Sequence, residues 1–142
     1  MTAASPFYLA YSDGASRGNP GPAALGAVIY DPEGHEVYRV ARRLGTATNN
    51  EAEYRAAIAA LEAALALRAP RVELRMDSEL VVRQMSGRYR VRNPRLARLY
   101  ARMLALRQQF DEVVVRHVPR TENRVADALA NQALTQGPEA AS

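Results

Sequence analysis

At 142 residues the chain has the length of one domain, enough to bury a core and too short for two. Its 48% apolar and 24% charged residues are the proportions of a folded globular protein. Without cysteine there are no disulfides, thiolate metal sites or cysteine nucleophiles, so a metal here is held by oxygen or imidazole. All 19 basic residues other than histidine are arginine, and Arg83, Arg88, Arg90, Arg92, Arg95, Arg98, Arg102 and Arg107 lie in one stretch without an acid. With 27 alanines, the arginine content as a whole reflects a GC-rich coding bias, but its placement is physical. A segment of +8 within a chain of +4, which leaves −4 for the rest, is the footprint of a polyanionic partner, most simply nucleic acid. No apolar run reaches the roughly 18 residues of a membrane span, and the first residues lack the pattern of a leader, so a cytoplasmic location without a membrane partner is expected.

Phe7 to Ser12 predicts a strand that stops at Asp13-Gly14, and Asp13 to Pro22, with three glycines and two prolines, predicts a loop. Leu25 to Tyr30 predicts a second strand, which Asp31-Pro32-Glu33-Gly34 turns back into a third over Glu36 to Leu44. Tyr54, Ile58, Leu61 and Leu65 recur at helical spacing among alanines, predicting a helix from Asn50 to Leu67. Arg71 to Met76 alternates strictly and predicts a strand, after which Asp77-Ser78 opens a short helix to about Met85. A basic connection, Gly87 to Pro94, leads to an amphipathic helix marked by Leu96, Leu99, Tyr100, Met103 and Leu106. Glu112 to Val118 predicts a strand and Glu122 to Leu134 a last helix, with Thr135 to Ser142 a flexible tail. The order predicts one α/β domain over residues 1–142, its core spanning about 7–134. Its sheet is five-stranded and mixed, an antiparallel meander followed by parallel strands joined by helical crossovers, with helices flanking it.

Four acids stand out, though each has an ordinary local explanation. Asp13-Gly14 reads as a turn, yet no strand starts two residues later, so Asp13 closes the first strand facing a glycine-rich loop that a backbone or phosphate can approach. Glu53 is in the first turn of the long helix, where the dipole favours an acid. Asp77 follows a strand and precedes a helix that it or Ser78 caps. Asp127 lies one turn into the last helix, on a polar line with Asn123 and Asn131. Acids at the ends of strands and helices converging on one edge of such a sheet form a site.

Taken together, the text around these acids resembles type I ribonuclease H. The matching stretches are Tyr11-Ser-Asp-Gly-Ala-Ser-Arg-Gly-Asn-Pro-Gly-Pro22, Thr48-Asn-Asn-Glu-Ala-Glu-Tyr54, Met76-Asp-Ser-Glu-Leu80 and His117-Val-Pro-Arg-Thr-Glu-Asn-Arg-Val-Ala-Asp-Ala-Leu-Ala130. Each motif alone is weak; the ordered set of four, with His117 ten residues before Asp127, is specific and covers about Phe7 to Leu134. The resemblance implies a ribonuclease H-like fold. It also implies an endoribonuclease that hydrolyses the RNA strand of RNA–DNA hybrids by two-metal-ion catalysis, leaving 5′-phosphate and 3′-hydroxyl ends.

By the same resemblance Asp13, Glu53, Asp77 and Asp127 are the metal ligands, holding two Mg²⁺ ions, with Mn²⁺ as an alternative; such hard cations take oxygen donors. Asp13 would bridge the ions on the central strand, Glu53 and Asp77 would hold the ion at the leaving group, and Asp127 the one that activates water. His117 joins the catalytic set as a mobile group for proton transfer and product release. Gly14 would bring its backbone against the RNA with its amide free for a phosphate or 2′-hydroxyl. Asn19 and Thr48 would bind a DNA-strand phosphate, while Asn49 and Asn50 would reach the minor groove or position Glu53; capping the helix is the local alternative for Asn50. The partner expected is an RNA–DNA hybrid, the protein acting as a monomer without an obligatory protein partner.

The chain departs from the family pattern at Ala15, where serine is common, and at Glu79, where many members have glutamine. The long basic protrusion of many members is reduced to Gly87–Asn93, and the chain has no tryptophan. It therefore resembles a short-handled form in which Arg88, Arg90 and Arg92 grip the hybrid backbone instead, although arginines most often only solvate a face. The alternative on the same fold is a non-catalytic hybrid- or double-strand-binding module, suggested by the lost handle and Glu79 and opposed by the intact acids.

Overall fold

A computed structural model describes residues 6–140. Its strands are β1 (Tyr8–Ser16), β2 (Gly21–Tyr30), β3 (Glu36–Ala47), β4 (Arg71–Met76) and β5 (Glu112–His117), in the sheet order β3-β2-β1-β4-β5. Its helices are α1 (Asn49–Ala66), α2 (Glu79–Met85), α3 (Pro94–Arg107) and α4 (Arg124–Ala140), with a 3-10 turn at Arg120–Glu122. The β1–β2 and β2–β3 pairs are antiparallel and the β1–β4 and β4–β5 pairs parallel, the mixed sheet expected from the sequence. The central strand β1 joins the two halves. It pairs with β2 from Leu9 to Ser16 but with β4 only from Tyr8 to Tyr11. Beyond Tyr11 and Arg75 the parallel strands no longer pair, and their carboxyl ends border the kind of crevice in which α/β sheets place ligands.

The run Gly21–Tyr30 is buried almost throughout without alternation, because helices cover both faces of β2. Ala27 and Ile29 join Ala10, Tyr54, Leu61 and Leu74 in the main core, whereas Ala24 packs against Ala133 and Leu134 of α4. Small side chains let α4 rest on the sheet backbone: a Cβ at Gly26 would stand 2.3 Å from the Ala126 carbonyl oxygen. On the other face the alanine-rich α1 lies close over β1. A capping box sets its start, Thr48 Oγ1 accepting from the Glu51 amide (3.1 Å) and Glu51 Oε1 from the Thr48 amide (3.0 Å). The cap is therefore Thr48, one residue outside the helix, and not Asn50. On the sheet edge, β3 carries the exposed Arg39, Arg42 and Arg43, charges that discourage pairing with another strand.

The strands β2 and β3 are longer than expected, starting at Gly21 and ending at Ala47, and two further differences from the sequence expectation shape the fold. First, β1 does not stop at Asp13-Gly14: Asp13 pairs with Gly26 and Gly14 with Leu25, and only residues 17–20 connect β1 to β2. Of the glycines that suggested a long loop, Gly14 and Gly21 stand in paired strands where a Cβ would strike backbone atoms, and only Gly18, at φ +97°, lies in the connection. Second, α4 starts at Arg124 after the 3-10 turn and continues to Ala140, so the backbone from Thr135 to Ala140 is helical where a tail was expected. Ala141 and Ser142 lie outside the described residues.

Candidate active site

Four elements bring the carboxylates together. Asp13 comes from the middle of β1, Glu53 from the start of α1, Asp77 from the residue after β4, and Asp127 from the first turn of α4. Asp13, Glu53 and Asp77 each place an oxygen within 4.8 Å of the others; Asp13 is 5% exposed and Glu53 3%. Asp127 stands outside this tight trio, half-buried, with Asn131 Nδ2 donating to its Oδ1 (3.1 Å) and an Arg120 guanidinium 3.6 Å away. Glu53 is fixed by the Gly14 amide, which donates to its Oε1 at 2.6 Å. The amide expected to be free for a phosphate or 2′-hydroxyl is thus already committed to Glu53. Gly14 instead allows the helix in, since a Cβ there would stand 2.3 Å from the Ala52 carbonyl carbon and 2.4 Å from the Glu53 amide nitrogen. These are backbone atoms that cannot swing aside. Gly14→Ala is expected to cost about 3 kcal/mol, at the upper end for overpacking, with activity falling as Glu53 shifts. An unchanged urea midpoint would refute this.

Burial of like charges sets the electrostatics. Burial, then the charges of Glu53 and Asp77, then Asp127, push Asp13 up to about 10. Glu53 is pushed up to about 8, chiefly by burial and further by Asp77 and Asp127, against the opposing pull of the Gly14 amide. Two acids that ordinarily ionise near pH 4 thus hold protons at neutral pH unless a cation takes their place.

Three neighbours of the cluster were not singled out as site residues from the sequence. Asn123, read as part of a polar surface line, is 1% exposed; its Nδ2 donates to the Ser12 carbonyl (3.0 Å) and reaches Asp77 Oδ2 (3.4 Å). It ties the start of α4 to β1 and to the end of β4. Arg120 beside Asp127 and Arg116 beside His117 also lay unmarked, and no local pattern distinguishes them from the other arginines. His117 ends β5 as the ladder partner of Met76, which precedes Asp77, and it is exposed.

The expected hybrid-binding residues fall into two groups. On the β2 side of the cluster, Asn19 Oδ1 accepts from the Asn49 amide (3.0 Å), leaving the Asn19 Nδ2 as the donor it offers. Thr48 caps α1, Asn49 is exposed and Asn50 half-buried in its first turn. On the other side Arg88, Arg90 and Arg92 are all exposed in the connection between α2 and α3.

A mixed sheet with three acids gathered where β1 and β4 part makes a domain with a site for a hard cation, and comparison with known proteins gives its family. The family model described as reverse transcriptase-like matches residues 11–133. Ribonuclease HI of Halobacterium salinarum is 50% identical over 125 residues, 88% of this chain and 63% of that protein. The crystal structure of RNase H1 from the same archaeon superposes with a TM-score of 0.89 at 48% identity, covering 92% of this chain and 98% of that one. LC11-RNase H1, solved in complex with RNA/DNA hybrid, superposes with a TM-score of 0.85 at 41% identity, covering 91% and 97%. The chain belongs to the ribonuclease HI family. It spans less than two thirds of the full Halobacterium protein and 36% of a Mycobacterium tuberculosis relative called a bifunctional protein.

Proposed function

We propose that the chain is an endoribonuclease that hydrolyses the RNA strand of RNA–DNA hybrids. The observation that carries this reading is the Asp13–Glu53–Asp77 cluster with Asp127 at its edge, in a family with a member solved on an RNA/DNA hybrid. The donor set suits a hard divalent cation: all its atoms are carboxylate oxygens, and their mutual repulsion is relieved by positive charge. Asp13, Glu53, Asp77 and Asp127 would hold two Mg²⁺ ions, or Mn²⁺ in their place. When bound, such ions supply Lewis-acid charge at the phosphate and a more acidic water.

The remaining work falls to the chain itself. His117, exposed beside Asp77, moves a proton to the leaving 3′ oxygen, so that the products carry a 3′-hydroxyl and a 5′-phosphate. Asn19, through its Nδ2, and Thr48 take one DNA-strand phosphate, and Asn49 and Asn50 reach the minor groove or position Glu53, while Asn123 keeps Asp77 and α4 in register with β1.

The test is cleavage of a labelled RNA–DNA hybrid beside duplex DNA, duplex RNA and single strands, in Mg²⁺, Mn²⁺ or chelator. Metal-dependent cutting of the hybrid's RNA strand alone is expected. Hybrid binding without cutting under any metal would overturn this in favour of the binding module. Replacing Arg88, Arg90 and Arg92 together by glutamine should weaken hybrid binding and reduce the slope of log K against log salt by about 1 for each lost phosphate contact. An unchanged slope would mean that these arginines face away from the nucleic acid.

A further inference from the structure

Among the described residues, Asp127 is the only one of the four acids that stands in an ion pair: Arg120 lies 3.6 Å from its Oδ1. The same oxygen accepts from Asn131 Nδ2 (3.1 Å), one turn along α4. Toward the buried cluster, Asp127 is hydrogen-bonded to Asp13, one of the contacts that raise the proton affinity of Asp13. The outer acid is thus strung between the cluster and a guanidinium.

The backbone of Arg120 is fixed and its side chain is not. Arg120 opens the 3-10 turn between β5 and α4, three residues after His117. The Val118 amide donates to the Met76 carbonyl (3.0 Å) before the turn, and the Asn123 amide donates to the Arg120 carbonyl (3.0 Å) at its end. Asn123 is in turn anchored to the Ser12 carbonyl (3.0 Å). The Arg120 side chain, by contrast, is 77% exposed and pairs with no other carboxylate among the described residues. Its neighbours do not duplicate it. Arg116 pairs with Glu73, and Arg124 lines the hollow with Tyr11 and Tyr30 on the sheet face.

An exposed ion pair changes an affinity by no more than about fivefold, so Arg120 leaves Asp127 readily for a better partner. A phosphodiester is such a partner, because a guanidinium meets two of its oxygens at once. We infer that Arg120 is an exchangeable counter-charge for the outer acid. Paired with Asp127, it weakens the pull of that carboxylate on a divalent cation. Drawn to a backbone phosphate of the nucleic acid, it releases Asp127, so the outer cation and the nucleic acid bind cooperatively. The inference rests on the nuclease reading above and names the residue that couples its two ligands. Arg120 acts through Asp127 and is a positioning residue.

The test measures Mn²⁺ binding by electron paramagnetic resonance in the wild type, Arg120→Gln and Arg120→Lys, with folding checked by urea midpoints. Each is titrated alone and with a hybrid whose RNA strand is 2′-O-methylated to prevent cleavage. Without hybrid, Arg120→Gln is expected to bind its outer Mn²⁺ about fivefold more tightly, read as a lower Kd or as a second ion where the wild type holds one. Arg120→Lys keeps the charge and should match the wild type. On the hybrid the difference between Arg120→Gln and the wild type should close. Equal Mn²⁺ binding without hybrid would overturn the inference, and so would a fivefold difference that persists on the hybrid. A variant altered only in KM for hybrid would also overturn it, leaving Arg120 a plain phosphate contact. A wild type that binds Mn²⁺ but cuts no hybrid removes the nuclease reading alone, and the comparison without hybrid still decides whether Arg120 restrains Asp127.

Discussion

Asp77→Asn is expected to reduce hybrid cleavage by roughly a thousandfold or more, the scale of losing one preorganised electrostatic group, and yet to make the metal-free protein more stable. Both effects come from one carboxylate. Asp77 is part of the only cluster in which buried Asp13 and Glu53 meet a third acid oxygen within 4.8 Å among the described residues, so its charge raises the proton affinity of both. An amide of the same shape removes the repulsion and keeps an oxygen for the Asn123 Nδ2. A gain of about 1 kcal/mol would raise Tm by roughly 3–5 °C for a domain of this size. Thermal melts in chelator at about pH 9, where Glu53 gives up its proton and meets the Asp77 charge, check the stability half; a variant melting there at or below the wild type would contradict the account of the cluster.

The metal-free wild type is expected to lose stability as pH rises from about 5 to about 10. Asp13 is pushed up to about 10 and Glu53 to about 8 from ordinary values of 3.8 and 4.5, so over this window the folded state binds more protons than the unfolded one. Stability then falls with pH, by at most about 1.4 kcal/mol per pH unit for each group. Acids shifted the other way act below this window. Asp31 is held down mainly by the His35 amide, Glu36 by the Arg39 guanidinium and Glu51 by the Thr48 amide, and all three lend stability that is lost only in acid. Urea midpoints at pH 5, 7 and 9 in chelator would show the decline, and adding a divalent cation should flatten it. A profile in chelator that stays level or rises would exclude the raised affinities.

The four acids could be found in the sequence because each sits in its own recognisable stretch and the stretches follow in order. Their geometry could not, since it depends on strand register and on where helices touch the sheet. Asp13-Gly14 is chemically a turn dipeptide, and only the arrival of α1 at Gly14 and of α4 at Gly26 shows why glycines stand within paired strands. Thr48 and Asn50 are both good caps, and the reciprocal bond from Glu51 decides between them. Asn123 looked exposed on a helical wheel because its burial comes from Ser12 and Asp77, residues distant in sequence. Arg116 is one arginine among 19, and its place is visible only once β5 lies beside β4.

The capping box at Thr48 also works as a goniometer. Glu53 follows the cap by five residues, which at about 100° per residue turns its side chain about 140° past a full revolution. The carboxylate therefore points where the helix's first hydrogen bonds aim it. Inserting or deleting a single residue between Thr48 and Glu53 would leave the composition and the helix almost intact while swinging the acid by about 100°, away from the Gly14 amide. Distance from Thr48, counted in residues, is in this sense an angular setting of the active site.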